Sequence, residues 1–373
     1  MEDIPKNLQA YPGSGVVTLV WDEVENAGSY TVYWSTEPDV TAQDDVLPVV
    51  TGATATHPFL NNDITFYYRV AATVEGEQSD LSEEVSATPI AWSDPIAAAG
   101  RVNDVGWSGI RFVAVDDSGS VTPSDDGMTW GDSVSPAGAS LRGIVWAGRF
   151  VVVGDSGTVL LSSDGVNWSS SNIDPDNSLY DVIWDARGFV AVGDRAGSDN
   201  ELILHSTTPS DPDSWTAASS VPGTANPLYA IAWNSERYVA TGANGFIMTS
   251  TDGDSWVEQD SGIVANALRG VVWAADRFVV VGDNGIILTS PDGITWTRRV
   301  SGVITDLSAV FHEGALYLAV GANGVIFSSA DGITWTREFF PPFTDLYAVG
   351  GNGTRNVIGG GDVENGVIYT RPR

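Results

Sequence analysis

The stretch LRGIVWAGRFVVVGDSGTVLLSSDGVNW, residues 141–168, has the pattern of four short β-strands. Three runs, LRGIVW, RFVVVG and TVLLSS, are rich in β-branched and aromatic residues, and Gly, Asp or Ser separates one run from the next. The fourth run carries Trp168, four residues after Asp164. Short runs joined by such turns fold as antiparallel hairpins, so this stretch predicts one four-stranded sheet.

The same pattern recurs along most of the chain. Its first run returns as VNDVGW, LRGIVW, LYDVIW, LYAIAW, LRGVVW, LSAVFH and LYAVGG, which begin at residues 102, 141, 179, 228, 268, 307 and 346. The spacings are therefore 39, 38, 49, 40, 39 and 39 residues, and a period of this length in an all-β pattern is typical of a β-propeller. The last unit ends after three strands, and TPIAWSDP, residues 88–95, precedes the first unit with Trp92 at the matching place. We therefore predict seven blades, the last closed by strands from the N- and C-terminal ends of the ring.

Residues 1–88 have a different rhythm. The runs VVTLVWDEV, SYTVYWS and TFYYRVAATV alternate apolar and polar residues between turn signals, which predicts an antiparallel β-sandwich. This segment resembles a fibronectin type III domain: Trp21 stands at the place of the family's core tryptophan, YYRVAA resembles its strand F, and Phe66 replaces its usual corner tyrosine. The predicted fold is thus all-β, with a fibronectin type III-like sandwich at 1–88 and a seven-bladed propeller at 89–373.

A short motif accompanies the repeat. SPDGITW at 290–296 has counterparts in SDDGMTW, SSDGVNW, STDGDSW and SADGITW. It resembles the Asp-box, or BNR-like repeat, of sialidase-type and photosystem II assembly-factor-type propellers, with one residue fewer between Asp and Gly. In such a turn Asp accepts hydrogen bonds from amides, Gly supplies a positive φ and Trp packs between blades, so we interpret the motif as scaffold rather than as five cation sites. Its residues are Asp126, Trp130, Asp164, Trp168, Asp252, Trp256, Asp292, Trp296, Asp331 and Trp335.

Composition excludes several classes of function. The chain has 48 acidic against 17 basic residues, a net charge of -31, which disfavours nucleic acid and anionic membrane surfaces as partners. It has no cysteine, so disulfides, thiolate metal sites and thiol nucleophiles are excluded. No apolar run is long enough to span a membrane, and MEDIPKN does not resemble a signal peptide. We expect a bacterial protein that is extracellular, at the cell surface or periplasmic, with its signal peptide absent from this sequence.

Candidate binding residues follow from the repeat, because propellers commonly bind ligands at the channel mouth. One ring is formed by the residue after the first apolar residue of each unit, and a second by the loop between the second and third strands. Arg and Tyr at such a mouth can hold a carboxylate, a sulfate or a sugar face, or the Arg side chains can form salt bridges that hold the blades together. The first ring is Asn103, Arg142, Tyr180, Tyr229, Arg269, Ser308 and Tyr347, and the second is Asp117, Asp155, Asp194, Ala243, Asp283, Ala322 and Gly361.

The third unit has a longer loop, GDRAGSDNELILHS, which contains Asp194, Asp199 and Glu201. Several oxygen ligands on one loop suit Ca²⁺, and a solvated acidic loop is the alternative. We expect no other cofactor. His205 and His312 occupy packed strand positions and are interpreted as structural.

Three functions remain open. The first is a secreted or surface binding protein, an adhesin that recognises a carbohydrate or protein ligand at the channel mouth. The second is a glycoside hydrolase or lyase, for which the sequence singles out no catalytic residue. The third is a scaffold for protein assembly.

Overall fold

The computed structural model describes residues 4–195, 200–223, 226–338, 340 and 344–372. The N-terminal part forms two antiparallel sheets, with Trp21, Tyr30, Phe66 and Tyr68 buried in the core that they share. One sheet has the order β1-β2-β5 and the other the order β4-β3-β6, with β7 and β8 both paired to β6. The strands are β1 (Gln9–Gly13), β2 (Val16–Val20), β3 (Ala27–Ser35), β4 (Asp45–Val46), β5 (Thr54–Pro58), β6 (Phe66–Val74), β7 (Glu77–Gln78) and β8 (Val85–Ala87).

Seven further antiparallel sheets follow, here called ring sheets 1 to 7. In ring sheets 2 to 6 four consecutive strands pair in sequence order. The strands are β9 (Ile96–Ala98), β10 (Val102–Trp107), β11 (Phe112–Asp116), β12 (Val121–Ser124), β13 (Leu141–Trp146), β14 (Phe150–Gly154), β15 (Val159–Ser162), β16 (Ser169–Ser170), β17 (Asn177–Trp184), β18 (Phe189–Arg195), β19 (Asn200–Ser206), β20 (Thr216–Ala217), β21 (Leu228–Trp233), β22 (Tyr238–Gly242), β23 (Ile247–Ser250), β24 (Val257–Gln259), β25 (Leu268–Ala274), β26 (Arg277–Gly282), β27 (Ile286–Ser290), β28 (Thr297–Arg299), β29 (Leu307–Glu313), β30 (Leu316–Gly321), β31 (Val325–Ser329), β32 (Thr336–Arg337), β33 (Leu346–Gly351), β34 (Arg355–Gly361) and β35 (Gly366–Pro372). Short 3-10 turns lie at Pro212–Ser214, Ala243–Gly245, Asp283–Gly285 and Ala322–Gly324.

The sheets form a closed ring. The first strand of each sheet, called its inner strand, contacts the inner strands of both neighbouring sheets, and β10 of ring sheet 1 contacts β33 of ring sheet 7. Ring sheet 7 has the order β33-β34-β35-β9, so a strand that precedes the ring completes its last sheet. The predicted all-β fold is therefore confirmed, with the strands before and at the end of the ring paired in its last sheet. The domain boundary at residue 88 stays a prediction.

Two details of the prediction are wrong. The closing strand is Ile96–Ala98 rather than residues 88–95, because Ile90 bonds to Gly13 of the N-terminal sheets and Pro95 has no N–H to donate. Ring sheet 1 has three strands instead of four, and a single bridge between Val121 and Val134 stands in place of the fourth.

The apolar runs of the second strands explain why the sheets pack face to face. In β14 all five residues are buried, and successive side chains point to opposite faces. Phe150 and Val152 join the core between ring sheets 1 and 2, whereas Val151 and Val153 join the core between ring sheets 2 and 3. A strand buried on both faces needs a continuous apolar run rather than an alternating one.

The Asp-Gly turns follow the third strands of ring sheets 1, 2, 4, 5 and 6 and share one hydrogen-bond pattern. In the turn of ring sheet 5, the Asp292 carboxylate accepts bonds from the amides of Ile294 and Thr295, both at 2.8 Å. Ser290 donates its hydroxyl to Asp292 and accepts the amide of Gly293, whose φ is 74°. The predicted amide bonds and positive φ are thus found, and the turns around Asp126, Asp164, Asp252 and Asp331 repeat them.

The tryptophan of each turn packs between two sheets, as predicted. Trp256 joins a core made by ring sheets 3 and 4 and is only 3% exposed, and its indole N–H donates to the Gly253 carbonyl at 2.7 Å. Trp335 is likewise buried between ring sheets 5 and 6. Trp130, Trp168 and Trp296 are half-buried. The turns therefore hold neighbouring sheets together.

A buried ion pair lies where the N-terminal sheets meet the ring. Arg371 of β35 forms a hydrogen-bonded ion pair with Glu338, and both side chains are fully buried. The same Glu338 carboxylate accepts the backbone amide of Ser14 at 3.3 Å, and the Arg371 guanidinium lies over the ring of Trp92, 4.5 Å from its centroid. One ion pair thus joins the N-terminal sheets, the connecting segment and the last ring sheet.

Candidate functional site at the mouth of the channel

Each inner strand has a β-bulge directly after the first apolar residue of its repeat unit. The pairing of β13 with β14, for example, passes from Leu141 directly to Gly143, which leaves Arg142 out of the ladder. A bulge of this kind redirects the side chain of its extra residue. The same shift occurs in the seven inner strands that the structure describes, and the residues that it skips in the ladder are Asn103, Arg142, Tyr180, Tyr229, Arg269, Ser308 and Tyr347.

The structure brings these seven residues together around one open cavity of about 450 Å³. They are the whole of the first predicted ring. Of the second ring only Ala322 lines the cavity directly, while Asp117, Asp155, Asp194 and Asp283 lie behind it and contact its Arg or Tyr side chains. Arg101, Asp306 and Asp345 also line the cavity. These three were missed, although each stands immediately before the first apolar residue of its unit and could have been found by aligning that position.

The arginines are paired within their own sheets. Arg142 forms two bonds with Asp155, Nε to Oδ1 at 3.0 Å and Nη2 to Oδ2 at 2.7 Å. Burial acts to lower the pKa of Arg142, but the bond and charge of Asp155 outweigh it and raise that pKa. Arg269 bonds to Asp283 at 2.5 Å. These contacts fit the salt-bridge interpretation of the two arginines.

The third arginine of the cavity, Arg101, completes this pattern. It lies 3.4 Å from Asp117 and 4.7 Å from the centroid of the Tyr347 ring. Burial raises the pKa of Asp117 despite this cation. The stacked guanidinium and phenol form one wall of the cavity, where a flat ligand group can pack.

Two tyrosines form the opposite wall. The ring centroids of Tyr180 and Tyr229 are 5.6 Å apart, and the Tyr180 hydroxyl donates to Asp194 at 3.0 Å. Burial, followed by the charge of Asp194, raises the pKa of Tyr180 well above its usual range. Tyr180 therefore stays a neutral phenol, which suits stacking and hydrogen bonding rather than nucleophilic attack.

Two carboxylates lie one residue further along the inner strands, directly after Asn103 and Tyr180. Asp104 accepts the amide of Ile144 at 2.9 Å, and Asp181 accepts that of Ile231 at 2.9 Å, so each bonds the inner strand of the next ring sheet. Burial is the main cause that raises the pKa of Asp104 to about 6 and that of Asp181 to about 7, and the charge of Asp104 adds to the second shift. The other five sheets have Gly or Ala at this position: Gly143, Ala230, Gly270, Ala309 and Ala348.

The Ca²⁺ prediction stays a prediction. Asp194 and Glu201 are cross-strand partners in a hairpin that the longer loop extends, but Asp199 lies outside the described residues. Within the described ranges no group of three or more His, Asp or Glu side chains gathers as metal ligands do. His312 packs on Tyr317 with ring centroids 4.2 Å apart. The ring of His205, in ring sheet 3, lies against Gly253 of ring sheet 4.

Comparison with known proteins identifies the ring. Residues 182–306, a third of the chain, match the family model of the DUF6242 beta propeller domain. The solved structure titled YCF48 bound to D1 peptide superposes with a TM-score of 0.58 over 74% of this chain and 94% of that one, at 17% identity. The ring is a β-propeller. YCF48 from Cyanidioschyzon merolae gives the same TM-score at 16% identity, covering 75% and 98% of the two chains.

Two further comparisons cover different shares of the chain. The propeller domain of Cps50 (Swd1) from Myceliophteria thermophila has a TM-score of 0.58 at 13% identity, covering 75% of this chain and 98% of that one. Among curated proteins, an amylopullulanase of Thermoanaerobacter thermohydrosulfuricus is 36% identical over 100 residues. That match covers 26% of this chain and 6% of the amylopullulanase, so the chain spans a small part of that relative.

The described residues include no helix with the length and apolar character to cross a membrane.

Proposed function

We propose that this chain is a binding protein that holds a segment of a partner protein at the mouth of its propeller channel, as part of protein assembly or scaffolding. The observation that carries the proposal is the set of seven bulges, which deliver seven polar or aromatic side chains to one open cavity. Bulges beside a cavity re-aim side chains at the cost of ladder hydrogen bonds, and a ring that served only as scaffold would not need them.

The similarity to YCF48 bound to D1 peptide supports a peptide ligand, because a propeller of the same fold has been solved with a peptide. The cavity chemistry supports it as well. Tyrosines stack on peptide planes, and Asn103 and Ser308 can bond main-chain groups in a way that tolerates sequence differences.

Three finer assignments belong to this proposal. We assign the N-terminal sheets to a fibronectin type III-like spacer, the Asp-Gly turns to the Asp-box type, and the seven ring sheets to seven blades. A spacer of this kind suits a secreted or surface protein. Adhesion through a carbohydrate is the second candidate, since the stacked wall of Arg101 and Tyr347 suits a sugar face.

The test is selection of linear peptides from a random display library against the whole protein, with a glycan array run in parallel. The variant Tyr229→Ala/Tyr347→Ala removes two cavity walls without changing charge, and we expect it to lose the selected peptides. The control Phe59→Ala/Trp184→Ala removes two aromatic residues exposed elsewhere and is expected to keep them. Peptides that bind the first variant as tightly as the parent would refute the mouth as the site. Glycans that bind the parent alone, with no peptide selected, would favour adhesion.

A further inference from the structure

We infer that the channel mouth takes a cationic side chain, the Lys or Arg of an extended protein segment, with aliphatic neighbours resting on the rim of the cavity. The inference rests on the proposed function and names the partner's chemistry. It follows from the charges at the mouth, from two buried carboxyl groups next to it and from an exposed apolar rim.

The positive charges of the cavity are already balanced. Each of its three arginines faces a carboxylate of its own ring sheet, so the arginines leave no net positive charge for an anionic ligand. The pairs are Arg101 with Asp117 at 3.4 Å, Arg142 with Asp155 at 2.7 Å and Arg269 with Asp283 at 2.5 Å.

Two negative charges at the cavity are not balanced in this way. Asp306 and Asp345 both line it, and among the described residues no ion pair reaches either of them. Each accepts one backbone amide from the 3-10 turn of the preceding ring sheet, Asp306 from Asn284 at 2.9 Å and Asp345 from Asn323 at 2.8 Å. An amide bond fixes the carboxylate in place but leaves its charge, so the mouth is electrostatically complementary to a cation.

Two further acidic groups lie next to the cavity. Asp104 and Asp181 directly follow the cavity residues Asn103 and Tyr180, and each accepts an amide of the neighbouring inner strand. The raised pKa of Asp181, about 7, reflects a charge that burial disfavours and that an approaching ammonium or guanidinium would stabilise. The stem of Lys or Arg can lie in the cavity while its charged end approaches the carboxylates.

An apolar rim flanks the mouth on the side of ring sheets 5 and 6. Val264 and Ile304 occupy equivalent places in consecutive loops that lead into inner strands, and they are 83% and 87% exposed. The Val264 loop is tied to the cavity, because Asn284 donates to Asn266 at 2.6 Å through its side chain and to Asp306 at 2.9 Å through its backbone. Two exposed aliphatic side chains beside a charged cavity fit a segment that carries apolar residues next to its cation.

The probes are three peptides, acetyl-Gly-Leu-Lys-Leu-Gly-amide and its counterparts with Gln or Glu in place of Lys. Binding to the whole protein is measured by ligand-observed NMR titration at low and at high salt. We expect the Lys peptide to bind about tenfold more tightly than the Gln peptide at low salt, and the Glu peptide to bind most weakly. High salt should reduce the difference between the Lys and Gln peptides.

Variants test which carboxylates cause the preference for the Lys peptide. We expect Asp306→Asn/Asp345→Asn to bind the Lys peptide no more tightly than the Gln peptide. The control Glu236→Gln/Glu258→Gln removes two exposed charges elsewhere and should bind all three peptides as the parent does. Val264→Ser/Ile304→Ser should weaken the Lys and Gln peptides equally. A Glu peptide that binds as tightly as the Lys peptide would overturn the cationic preference while leaving peptide binding, and so the proposed function, intact. Failure of all three peptides would overturn this inference, while the display selection would still decide the proposed function.

Discussion

Arg371 and Glu338 form an ion pair from which solvent is fully excluded. The pair joins the last strand of the ring to the segment after ring sheet 6, and Glu338 also accepts the amide of Ser14 from the N-terminal sheets. Taking two charges out of water is costly, so each depends on the other. The N-terminal sheets are therefore attached to the ring through an interaction that fails if either partner is lost.

Glu338→Gln should lower the free energy of unfolding by about 3–5 kcal/mol, because it leaves the Arg371 charge buried without its partner. Chemical denaturation followed by tryptophan fluorescence measures the loss. The double variant Glu338→Leu/Arg371→Met removes both charges and should recover most of the stability. A single variant as stable as the parent would show that solvent or another group compensates Arg371.

Trp256→Ala should destabilise the propeller by about 3–5 kcal/mol, since the ring fills a core between two ring sheets. Trp296→Ala removes a half-buried ring from the equivalent place and should cost about 2 kcal/mol. Thermal and chemical denaturation of the two variants give both values. The reverse order would contradict the packing described for the Asp-Gly turns.

Asp181→Asn should change how stability depends on pH. The pKa of Asp181 is about 7 in the folded protein, against about 3.9 for an unfolded Asp. The folded state thus binds more protons between these values, so the contribution of Asp181 to stability falls as pH rises from about 4 to about 7 and is constant above that.

Asp181→Asn has no carboxyl group to ionise, so it does not lose stability in this way. Its free energy of unfolding relative to the parent should therefore rise between about pH 4 and about pH 7, by up to about 1 kcal/mol per pH unit. Denaturation at a series of pH values measures the difference, and ¹³C NMR titration of the carboxyl group follows Asp181 directly. Asp132→Asn, at an exposed carboxylate, serves as the control. Equal slopes in Asp181→Asn and the parent would refute the raised pKa.

The ion pair of Arg142 and Asp155 should contribute modestly to stability. Both side chains are about a quarter exposed, at 26% and 28%, so solvent screens their attraction. A double-mutant cycle with Arg142→Ala and Asp155→Ala should give a coupling energy of about 1 kcal/mol. A coupling several times larger would mean that these pairs hold the blades together as strongly as the cores do.

The repeat made most of the fold predictable. A period near forty residues places an inner strand at the start of every unit, and all seven predicted starts fall within or at the beginning of inner strands. The closing strand was misplaced because Trp92, which marked it, packs against the core near Tyr369 and Phe340. Ser93 does donate its amide to Thr370 of β35 at 2.8 Å, but the regular ladder begins at Ile96. Strand pairing at that point depends on tertiary contacts that the local pattern does not contain.

The candidate site was predictable where the repeat was regular. Seven ring residues were found from one aligned position, since a bulge conserved in place along the repeat puts equivalent side chains in equivalent places. Asp306 and Asp345 were missed because only two of the seven units carry an acid there. Asp104 and Asp181 were missed because their significance depends on burial, which sequence does not report.

The closing strand also sets the order in which the chain can complete its fold during synthesis. β9, Ile96–Ala98, leaves the ribosome before any ring sheet exists, yet its partner β35, Gly366–Pro372, is made after all the other ring strands. Ring sheets 1 to 6 pair strands that are close in sequence and can form as they emerge. The edge of β9 stays unpaired until β35 has been translated, so a nascent chain that stalls before that point would expose an open ring to aggregation.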